Sequence, residues 1–148
     1  MKIKTQKMRN KLKTKNSYLI KIPLIAEGKR GNLSFCEVKR QIPFNIKRIY
    51  WIYNVSSKKS RGGHAHRKTE QVLFCINGSV RIEVDDGINK DAFILAKPNN
   101  GIFLGKMVWH NMMDFKKNTV LLVLASEFFK EADYIRDYNI FKSIAQKQ

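Results

Sequence analysis

One stretch of this sequence decides the fold prediction: Arg61-Gly62-Gly63-His64-Ala65-His66. In a β-strand, residues two apart project from the same face, so His64 and His66 point to one side and Ala65 to the other. Burying two titratable rings together costs desolvation energy, and such groups are commoner in functional clefts than in packed cores. We therefore expect a strand that presents two imidazoles to a pocket. Gly62-Gly63 before it indicates a turn, with a close approach of the backbone to a ligand as the alternative.

Short β-prone runs separated by turn residues flank this stretch on both sides. Asn77-Gly78 and Asp86-Gly87 favour tight hairpins, because these residue types accept positive φ at little cost. After Ser126, residues recur at three- and four-residue spacing from Ile135 through Tyr138 and Phe141 to Ala145, which predicts one short C-terminal helix. The sequence therefore predicts an all-β sandwich or barrel. The predicted strands are Tyr18 to Ile25, Leu33 to Val38, Ile46 to Val55, Val72 to Ile76, Val80 to Val84, Ala92 to Leu95, Ile102 to Leu104, Val108 to Phe115 and Val120 to Ala125.

The length and charge of the chain indicate one basic domain. Its 148 residues are 43% hydrophobic, which suffices for one core. The first fifteen residues include seven basic and no acidic side chains, so we interpret 1–16 as a basic, disordered tail and 17–148 as a single domain. The formal net charge of +17 suits an anionic ligand such as a nucleotide diphosphate.

The cysteines and the hydropathy pattern indicate the compartment. Cys36 and Cys75 lie in apolar runs without the spacing of a disulfide framework or a cysteine zinc site. No apolar stretch approaches the roughly 20 residues that span a bilayer, and the N-terminus lacks the apolar centre of a signal peptide. We therefore expect a cytoplasmic protein without a membrane span.

A third histidine, His110, begins a late strand and is expected to converge with the other two. Three imidazoles can hold Zn²⁺ or Fe²⁺ with open coordination positions, so a metal-dependent oxygenase is one interpretation. The layout from His64 to Gly78 resembles the first cupin motif, but Gln71 stands where that motif carries its metal-binding carboxylate. Nearby arginines also raise the cost of binding a dication; they are Arg48, Arg61 and Arg67. We therefore expect no catalytic metal.

The run from Lys47 to Tyr53 is predicted to be a strand with Arg48 and Tyr50 on one face. Arg48 lies among apolar residues and needs a partner. That partner is either a phosphate of a bound ligand, which guanidinium binds bidentately, or a structural carboxylate. The sequence pattern alone leaves both possibilities open.

Several segments in order resemble the bacterial TDP-4-oxo-6-deoxyglucose 3,4-ketoisomerases, a resemblance that spans about residues 18 to 145. It implies a cupin-type antiparallel β-barrel (jelly roll), a homodimer that exchanges N-terminal strands, and no metal or other cofactor. The implied reaction converts TDP-4-oxo-6-deoxy-D-glucose to a 3-oxo sugar for synthesis of a 3-amino-3,6-dideoxyhexose. The segments are Ile42 to Tyr50, Arg61 to Lys68, Asn77 to Ser79, Asp85 to Gly87, Val108 to His110, Asp114 to Phe115, Val123 to Ser126 and Asp133 to Tyr138.

The resemblance also implies roles for individual residues. His64 matches the base that removes the C3 proton, a role that suits imidazole near neutral pH. Tyr50 matches the tyrosine that moves protons among O3, O4 and C4, and His66 would orient this pair or stabilise the enediolate. Basic residues are the candidates for binding the diphosphate; they are Arg48, Arg61 and Lys68.

Members of the family differ in which face of C4 is protonated, and the positions matching Arg30 and His110 are implicated in that choice. Arginine and histidine at these positions favour the galacto product, TDP-3-oxo-6-deoxy-D-galactose. Asn111 departs from the acidic residue that relatives often carry there. Three alternatives remain: a sugar-nucleotide 3,5-epimerase of the same fold, a metal-dependent oxygenase, and a non-catalytic sensor or nucleic-acid-binding protein.

Overall fold

The computed structural model of the protein describes residues 9–148, and the part of the predicted tail at 1–8 lies outside the described residues. Nearly all of the regular structure is β, and one helix follows the last strand. The strands are β1 (Arg9–Lys11), β2 (Ser17–Lys21), β3 (Leu24–Ala26), β4 (Asn32–Ser34), β5 (Arg48–Tyr53), β6 (Arg61–His66), β7 (Gln71–Asn77), β8 (Val80–Asp85), β9 (Lys90–Leu95), β10 (Asn100–Leu104), β11 (Trp109–Met113), β12 (Val120–Ala125) and β13 (Tyr134–Ile135), and the helix is α1 (Tyr138–Gln146).

Two antiparallel sheets form the barrel. The first has six strands in the order β1-β2-β10-β7-β12-β5, and the second has five in the order β13-β6-β11-β8-β9. A separate hairpin, β3–β4, encloses a short 3₁₀ turn at Gly28–Arg30. The arrangement confirms the prediction of an antiparallel barrel with a short C-terminal helix.

The core lies between the two sheets and follows the period-two pattern of strands. Along β8, Val80, Ile82 and Val84 are buried, whereas Arg81 and Glu83 between them are partly exposed. Alternate side chains of a strand point to opposite faces, so one face of β8 fills the barrel and the other faces outward. Inward residues from β7, β10 and β12 complete this cluster.

Asn77-Gly78 does not form the predicted hairpin. β7 pairs with β10 and β12 in the six-stranded sheet, whereas β8 pairs with β9 and β11 in the other sheet, so the chain crosses between sheets at this point. Gly78 has φ 76°, and a Cβ atom there would lie 2.7 Å from Thr119 Cα. The glycine therefore serves a close crossing. The hairpin predicted at Asp86-Gly87 is confirmed, because β8 pairs with β9 across it.

The C-terminal helix begins later than its predicted apolar pattern. Ile135 lies in β13, and α1 starts after Asp137, whose side chain accepts a hydrogen bond from the Ile140 backbone N–H at 3.0 Å. This N-cap satisfies one of the amide groups left free at a helix start. Phe141 is fully buried against Trp109 of β11. Within the described part of the chain, no helix is long and apolar enough to cross a membrane.

The predicted tail is partly ordered. β1 pairs with β2, and Thr14 is buried, donating hydrogen bonds from its backbone N and its hydroxyl to Asp91 at 2.7 and 2.6 Å. β1 and the buried Thr14 therefore lie within the segment that the sequence analysis assigns to the tail. The number of basic residues does not distinguish a tail from an ordered segment, because lysines in an edge strand can keep their ammonium groups in water.

Candidate active site

The three histidines of the chain converge inside the barrel. β6 pairs with β11 so that His64 lies opposite His110, and His66 projects from the same face of β6 as His64. The ring centroid of His64 lies 5.0 Å from that of His66 and 4.7 Å from that of His110. The expected convergence is confirmed, and we call these three residues the histidine cluster.

Two glycines allow β6 to approach β11 closely. Gly62 and Gly63 have φ values of 83° and 72° and lie within β6, where the pairing with β11 shifts register. A Cβ atom on Gly62 would lie 2.7 Å from the backbone oxygen of His110. The predicted turn is therefore wrong: the glycines form an irregular strand that brings the histidines together.

His66 is held by Asp133, which lies just before β13. His66 Nδ1 is 3.0 Å from Asp133 Oδ2, and the same carboxylate accepts hydrogen bonds from the Thr69 hydroxyl and from the backbone N of Lys68. Tyr134, the next residue, places its ring centroid 4.4 Å from that of His66 and 4.9 Å from that of His64. The sequence interpretation missed Asp133 and Tyr134 as site residues, and their only signal was the resemblance of the segment that contains them.

The environment keeps the histidine cluster neutral. Burial, together with the neighbouring His66 and the positive charge of Arg136, lowers the pKa of His64 to about 4. Burial also lowers the pKa of His66, against the opposing effect of Asp133, and it lowers that of His110 well below its usual value. His64 therefore has a free lone pair at neutral pH and can accept a proton.

Tyr50 lies on β5, in the sheet that faces the histidine cluster. Gln71 of β7 donates a hydrogen bond from Nε2 to the Tyr50 hydroxyl oxygen at 2.8 Å. Burial, together with nearby Tyr134, raises the pKa of Tyr50 to about 12. Because Gln71 donates to the hydroxyl oxygen, the phenol proton is free to point to another acceptor. Tyr50 therefore stays protonated and can donate.

Arg48 lies close enough to the histidine cluster for its positive charge to lower the pKa of His66. Its guanidinium carbon lies 5.4 Å from the centroid of the Tyr50 ring and 5.7 Å from that of Phe129. Among the residues that the structure describes, the buried Arg48 Nε has no hydrogen-bond partner. A buried unpaired donor is costly, so this group is suited to an anionic ligand. The positive charges of Arg48 and Arg61 each lower the pKa of Tyr50.

Other candidates from the sequence lie in different surroundings. Arg30 lies in the exposed 3₁₀ turn, where it forms an ion pair with Glu27 at 3.8 Å. The side chain of Lys68 is exposed, and its backbone N contacts Asp133. His110 is buried within the cluster, and its Nδ1 lies 3.1 Å from the Val108 carbonyl oxygen. The structure brings His110 to the cluster but leaves Arg30 and Lys68 at the surface.

The histidine cluster also has features of a metal site. One ring nitrogen from each of the three residues lies within 4.8 Å of the others. The contacts of His66 with Asp133 and of His110 with a backbone carbonyl are the kind that orient metal-binding imidazoles. Gln71, in the position of the expected carboxylate ligand, is hydrogen-bonded to Tyr50 instead. The donor set therefore offers three neutral nitrogens and no carboxylate among these positions.

Comparison with known proteins identifies the family. A family model described as WxcM-like, C-terminal, matches residues 15–146. A TDP-4-oxo-6-deoxy-alpha-D-glucose-3,4-oxoisomerase from Aneurinibacillus thermoaerophilus is 46% identical over 118 residues, which are 80% of this chain and 85% of that protein. The chain belongs to the sugar 3,4-ketoisomerase family. The expectation from the resemblance is confirmed at this level.

Solved structures of other 3,4-ketoisomerases share the fold. A double mutant of the QdtA ketoisomerase from Thermoanaerobacterium thermosaccharolyticum, in complex with TDP, is 46% identical and has a TM-score of 0.87 over 90% of this chain and 96% of that one. A TDP-quinovose 3,4-ketoisomerase from Campylobacter jejuni is 39% identical, with a TM-score of 0.83 over 87% of this chain and 98% of that one. A TDP-fucose 3,4-ketoisomerase from the same organism is 35% identical, with a TM-score of 0.82 over 88% of this chain and 96% of that one. The family thus includes enzymes named for gluco and for galacto sugars.

The low pKa of His64 predicts how the ketoisomerase responds to acid. Because its pKa is lowered to about 4, His64 stays unprotonated at pH values where a free imidazole, with a pKa of about 6.5, is already charged. We expect the acid limb of kcat/KM to have an apparent pKa nearer 4 than 6.5. Initial rates from about pH 3.5 to about pH 8 span both values and measure the limb, and a limb centred near 6.5 would contradict the assignment.

Two controls accompany this pH profile. The unfolded chain binds protons to its histidines below about pH 6.5 while the folded chain resists them, so stability decreases as the pH falls below that value. Circular dichroism at each pH therefore establishes that the protein is folded. Arg136→Gln removes a positive charge that lowers the pKa of His64, so the acid limb of this variant should move to higher pH.

Proposed function

We propose that the protein isomerises TDP-4-oxo-6-deoxy-D-glucose to TDP-3-oxo-6-deoxy-D-galactose through an enediol or enediolate. The observation that carries the proposal is a neutral, partly buried His64 in a site that also contains Tyr50 and an Arg48 Nε without a hydrogen-bond partner among the described residues. The positive charge of Arg61 lowers the pKa of both His64 and Tyr50, and that of Arg48 lowers the pKa of both Tyr50 and His66. A base, a proton donor and cationic groups for a diphosphate are thus combined.

The proposed reaction moves two protons. The C4 carbonyl acidifies the C3 proton, which His64 removes to give an enediolate shared by C3 and C4. Tyr50 gives its proton to O4 and takes the proton of O3, so the hydroxyl moves from C3 to C4. His64 then returns its proton to C4. The product has a carbonyl at C3, and no atom or electron is gained or lost overall.

The diphosphate is proposed to bind the arginines. Arg48 has a buried Nε without a hydrogen-bond partner in the described residues, and guanidinium groups bind phosphate oxygens bidentately. Arg61 begins β6, three residues before His64, and its positive charge lowers the pKa of His64. Lys68 is proposed as a more peripheral contact, because its side chain is exposed.

The galacto configuration at C4 is the finer part of the proposal. It depends on which face of the enediolate receives the proton, and His110 lies close to His64, with ring centroids 4.7 Å apart. His110 is therefore placed to influence the orientation of the sugar beside the base. For Arg30 to contribute, its exposed side chain would have to leave Glu27 when substrate binds. The surface ion pair that holds it is weak enough to allow this.

Product analysis in D₂O tests the proposed reaction. Incubation with TDP-4-oxo-6-deoxy-D-glucose should give a 3-oxo sugar with deuterium at C4, because His64 exchanges its proton with solvent before returning it. NMR identifies the labelled carbon and the configuration at C4. Deuterium at C3 and C5 of a 4-oxo sugar would indicate a 3,5-epimerase instead.

A metal control completes this experiment. Protein dialysed against EDTA should keep its isomerase activity if proton transfer needs only the side chains named above. Loss of activity that returns on adding Zn²⁺ or Fe²⁺ would contradict the metal-free mechanism. Elemental analysis of the same sample then identifies the ion.

We also propose that the enzyme works in the cytoplasm as a homodimer that exchanges N-terminal strands. β5 is an edge strand, and in the described part of the chain it pairs only with β12. Its outward residues Ile49, Trp51 and Tyr53 are more than half exposed, which favours coverage by a second copy. β1 and β2 lie at the opposite edge of the same sheet.

The 3-oxo product has the carbonyl that an aminotransferase needs to form a 3-amino-3,6-dideoxyhexose.

A further inference from the structure

The carboxylate of Asp133 has a fixed set of donors around it. Oδ1 accepts the backbone N–H of Lys68 at 2.6 Å, and Oδ2 accepts the backbone N–H of Thr69 at 3.3 Å and the Thr69 hydroxyl. The backbone oxygen of Asp133 accepts the N–H of Arg67 at 2.9 Å. Burial raises the pKa of Asp133, but these hydrogen bonds outweigh burial and lower it overall. Asp133 is therefore an anion that can only accept hydrogen bonds.

This environment determines the proton on His66. Nδ1 of His66 lies 3.0 Å from Asp133 Oδ2, and an ionised carboxylate has no proton to offer, so Nδ1 must be the donor. The pKa of His66 is lowered by burial, so the ring is neutral and Nε2 carries a lone pair. His66 is 2% exposed, and among the described residues Nε2 has no hydrogen-bond partner. A buried lone pair without a partner is an open acceptor site.

We infer that Asp133 is a positioning residue that fixes His66 in the Nδ1–H form, so that His66 Nε2 accepts a hydrogen bond from a hydroxyl of the substrate sugar. The inference rests on the proposed function. It gives His66 a different role from that expected from the family resemblance, because a neutral ring with a bare Nε2 cannot donate a hydrogen bond to an enediolate oxygen. It accepts from the hydroxyl at C3 in the substrate or at C4 in the product.

A neutral His66 also helps its neighbour. When His64 takes the C3 proton it becomes positively charged, and its ring centroid is 5.0 Å from that of His66. Two imidazolium rings at this distance would repel each other in a buried site. Burial keeps His66 neutral against the opposing effect of Asp133, so the positive charge formed during the reaction lies on His64 alone.

Asp133→Asn tests the inference. An asparagine that keeps its oxygen on the Lys68 N–H must turn its amide NH₂ to His66 Nδ1, which forces the proton of His66 onto Nε2. We expect kcat to fall by about 10²-fold, since a wrongly protonated imidazole blocks hydrogen bonding to the sugar hydroxyl. KM and the affinity for TDP should change by less than about threefold, because Asp133 is not among the groups proposed to bind phosphate.

Asp137→Asn is the matched control. Asp137 lies four residues away and caps α1 by accepting from the Ile140 N–H, a role that asparagine fills equally well. This variant removes the same charge from the same segment without touching His66. Its kcat should equal that of the unchanged protein. An equal loss in both variants would overturn the inference.

The ¹⁵N chemical shifts of the imidazole nitrogens provide a readout that does not depend on activity. In the unchanged protein, the shifts of His66 should show a protonated Nδ1 and an unprotonated Nε2, and in Asp133→Asn the two should exchange. A protonated Nε2 in the wild-type protein would overturn the inference. This test needs no variant, so it remains available even if Asp133→Asn does not fold. If this form of His66 is observed but the protein does not isomerise TDP-4-oxo-6-deoxy-D-glucose, the proposed function fails while the role of Asp133 as the partner of His66 stands.

Discussion

Replacing His64 with asparagine is expected to lower kcat by about 10³-fold, within the range that loss of a general base produces. Asparagine occupies a similar volume and keeps a polar group at the end of the side chain, but it accepts no proton at any pH of interest. The neutral His64 ring, whose pKa is lowered to about 4, is the base proposed for the C3 proton. The lone pair of His66 Nε2 is assigned to a hydroxyl of the sugar instead, and His110 Nδ1 is engaged by the Val108 carbonyl.

The measurement for His64→Asn pairs turnover with binding. TDP should bind the variant with an affinity within about threefold of the unchanged protein, since the diphosphate is assigned to the arginines. Deuterium exchange at C3 of the substrate in D₂O should stop together with turnover, because both need the same base. A variant that binds TDP and still exchanges C3 near the normal rate would show that another group removes the proton.

Gly78→Ala is expected to destabilise the fold by about 3 kcal/mol, by combining a strained positive φ with a steric overlap. Gly78 has φ 76°, and an added Cβ would lie 2.7 Å from Thr119 Cα and closer still to the Thr119 hydroxyl. That hydroxyl cannot move freely, because its single proton is shared between the backbone oxygens of Lys116 at 2.7 Å and Ser79 at 3.0 Å, and its oxygen accepts from the Ser79 N–H. Urea unfolding measures the difference.

Gly31→Ala separates the two contributions. Gly31 has φ 85°, similar to that of Gly78, but no atom lies within 4 Å of its added Cβ. This variant should therefore lose only the conformational part, about 2 kcal/mol for a side chain in a backbone region that favours glycine. Equal losses in the two variants would contradict the crowding at Thr119. The difference between the two losses in free energy of unfolding measures the cost of crowding where the chain crosses between the sheets.

The alternation of residue types along single strands was sufficient to predict much of this site. His64 and His66 share one face of β6, and Arg48 and Tyr50 share the inward face of β5, as their spacing predicted. The convergence of His110 with them was expected from motif order and is confirmed by the pairing of β6 with β11. The resemblance to the ketoisomerases extended these local patterns to a family and a reaction class.

Contacts between distant parts of the chain were harder to predict. Asp133 is 67 residues from His66, and it lies before a strand of only two residues, which is too short to show a period of two. Asn77-Gly78 has the composition of a hairpin turn, yet its flanking strands belong to different sheets. A dipeptide determines which backbone angles are easy, but not which strand lies next to it.

For the stretch from Arg61 to His66, the sequence by itself determined that two imidazoles share a face, because side chains alternate along any extended backbone. It also determined that glycine precedes them. Only the tertiary structure decided that these glycines lie inside a strand packed against the His110 backbone, that burial lowers the pKa of His64, and that a carboxylate from the end of the barrel holds His66. These properties depend on which atoms surround each ring, and those atoms come from elements brought together by folding rather than by proximity in the chain.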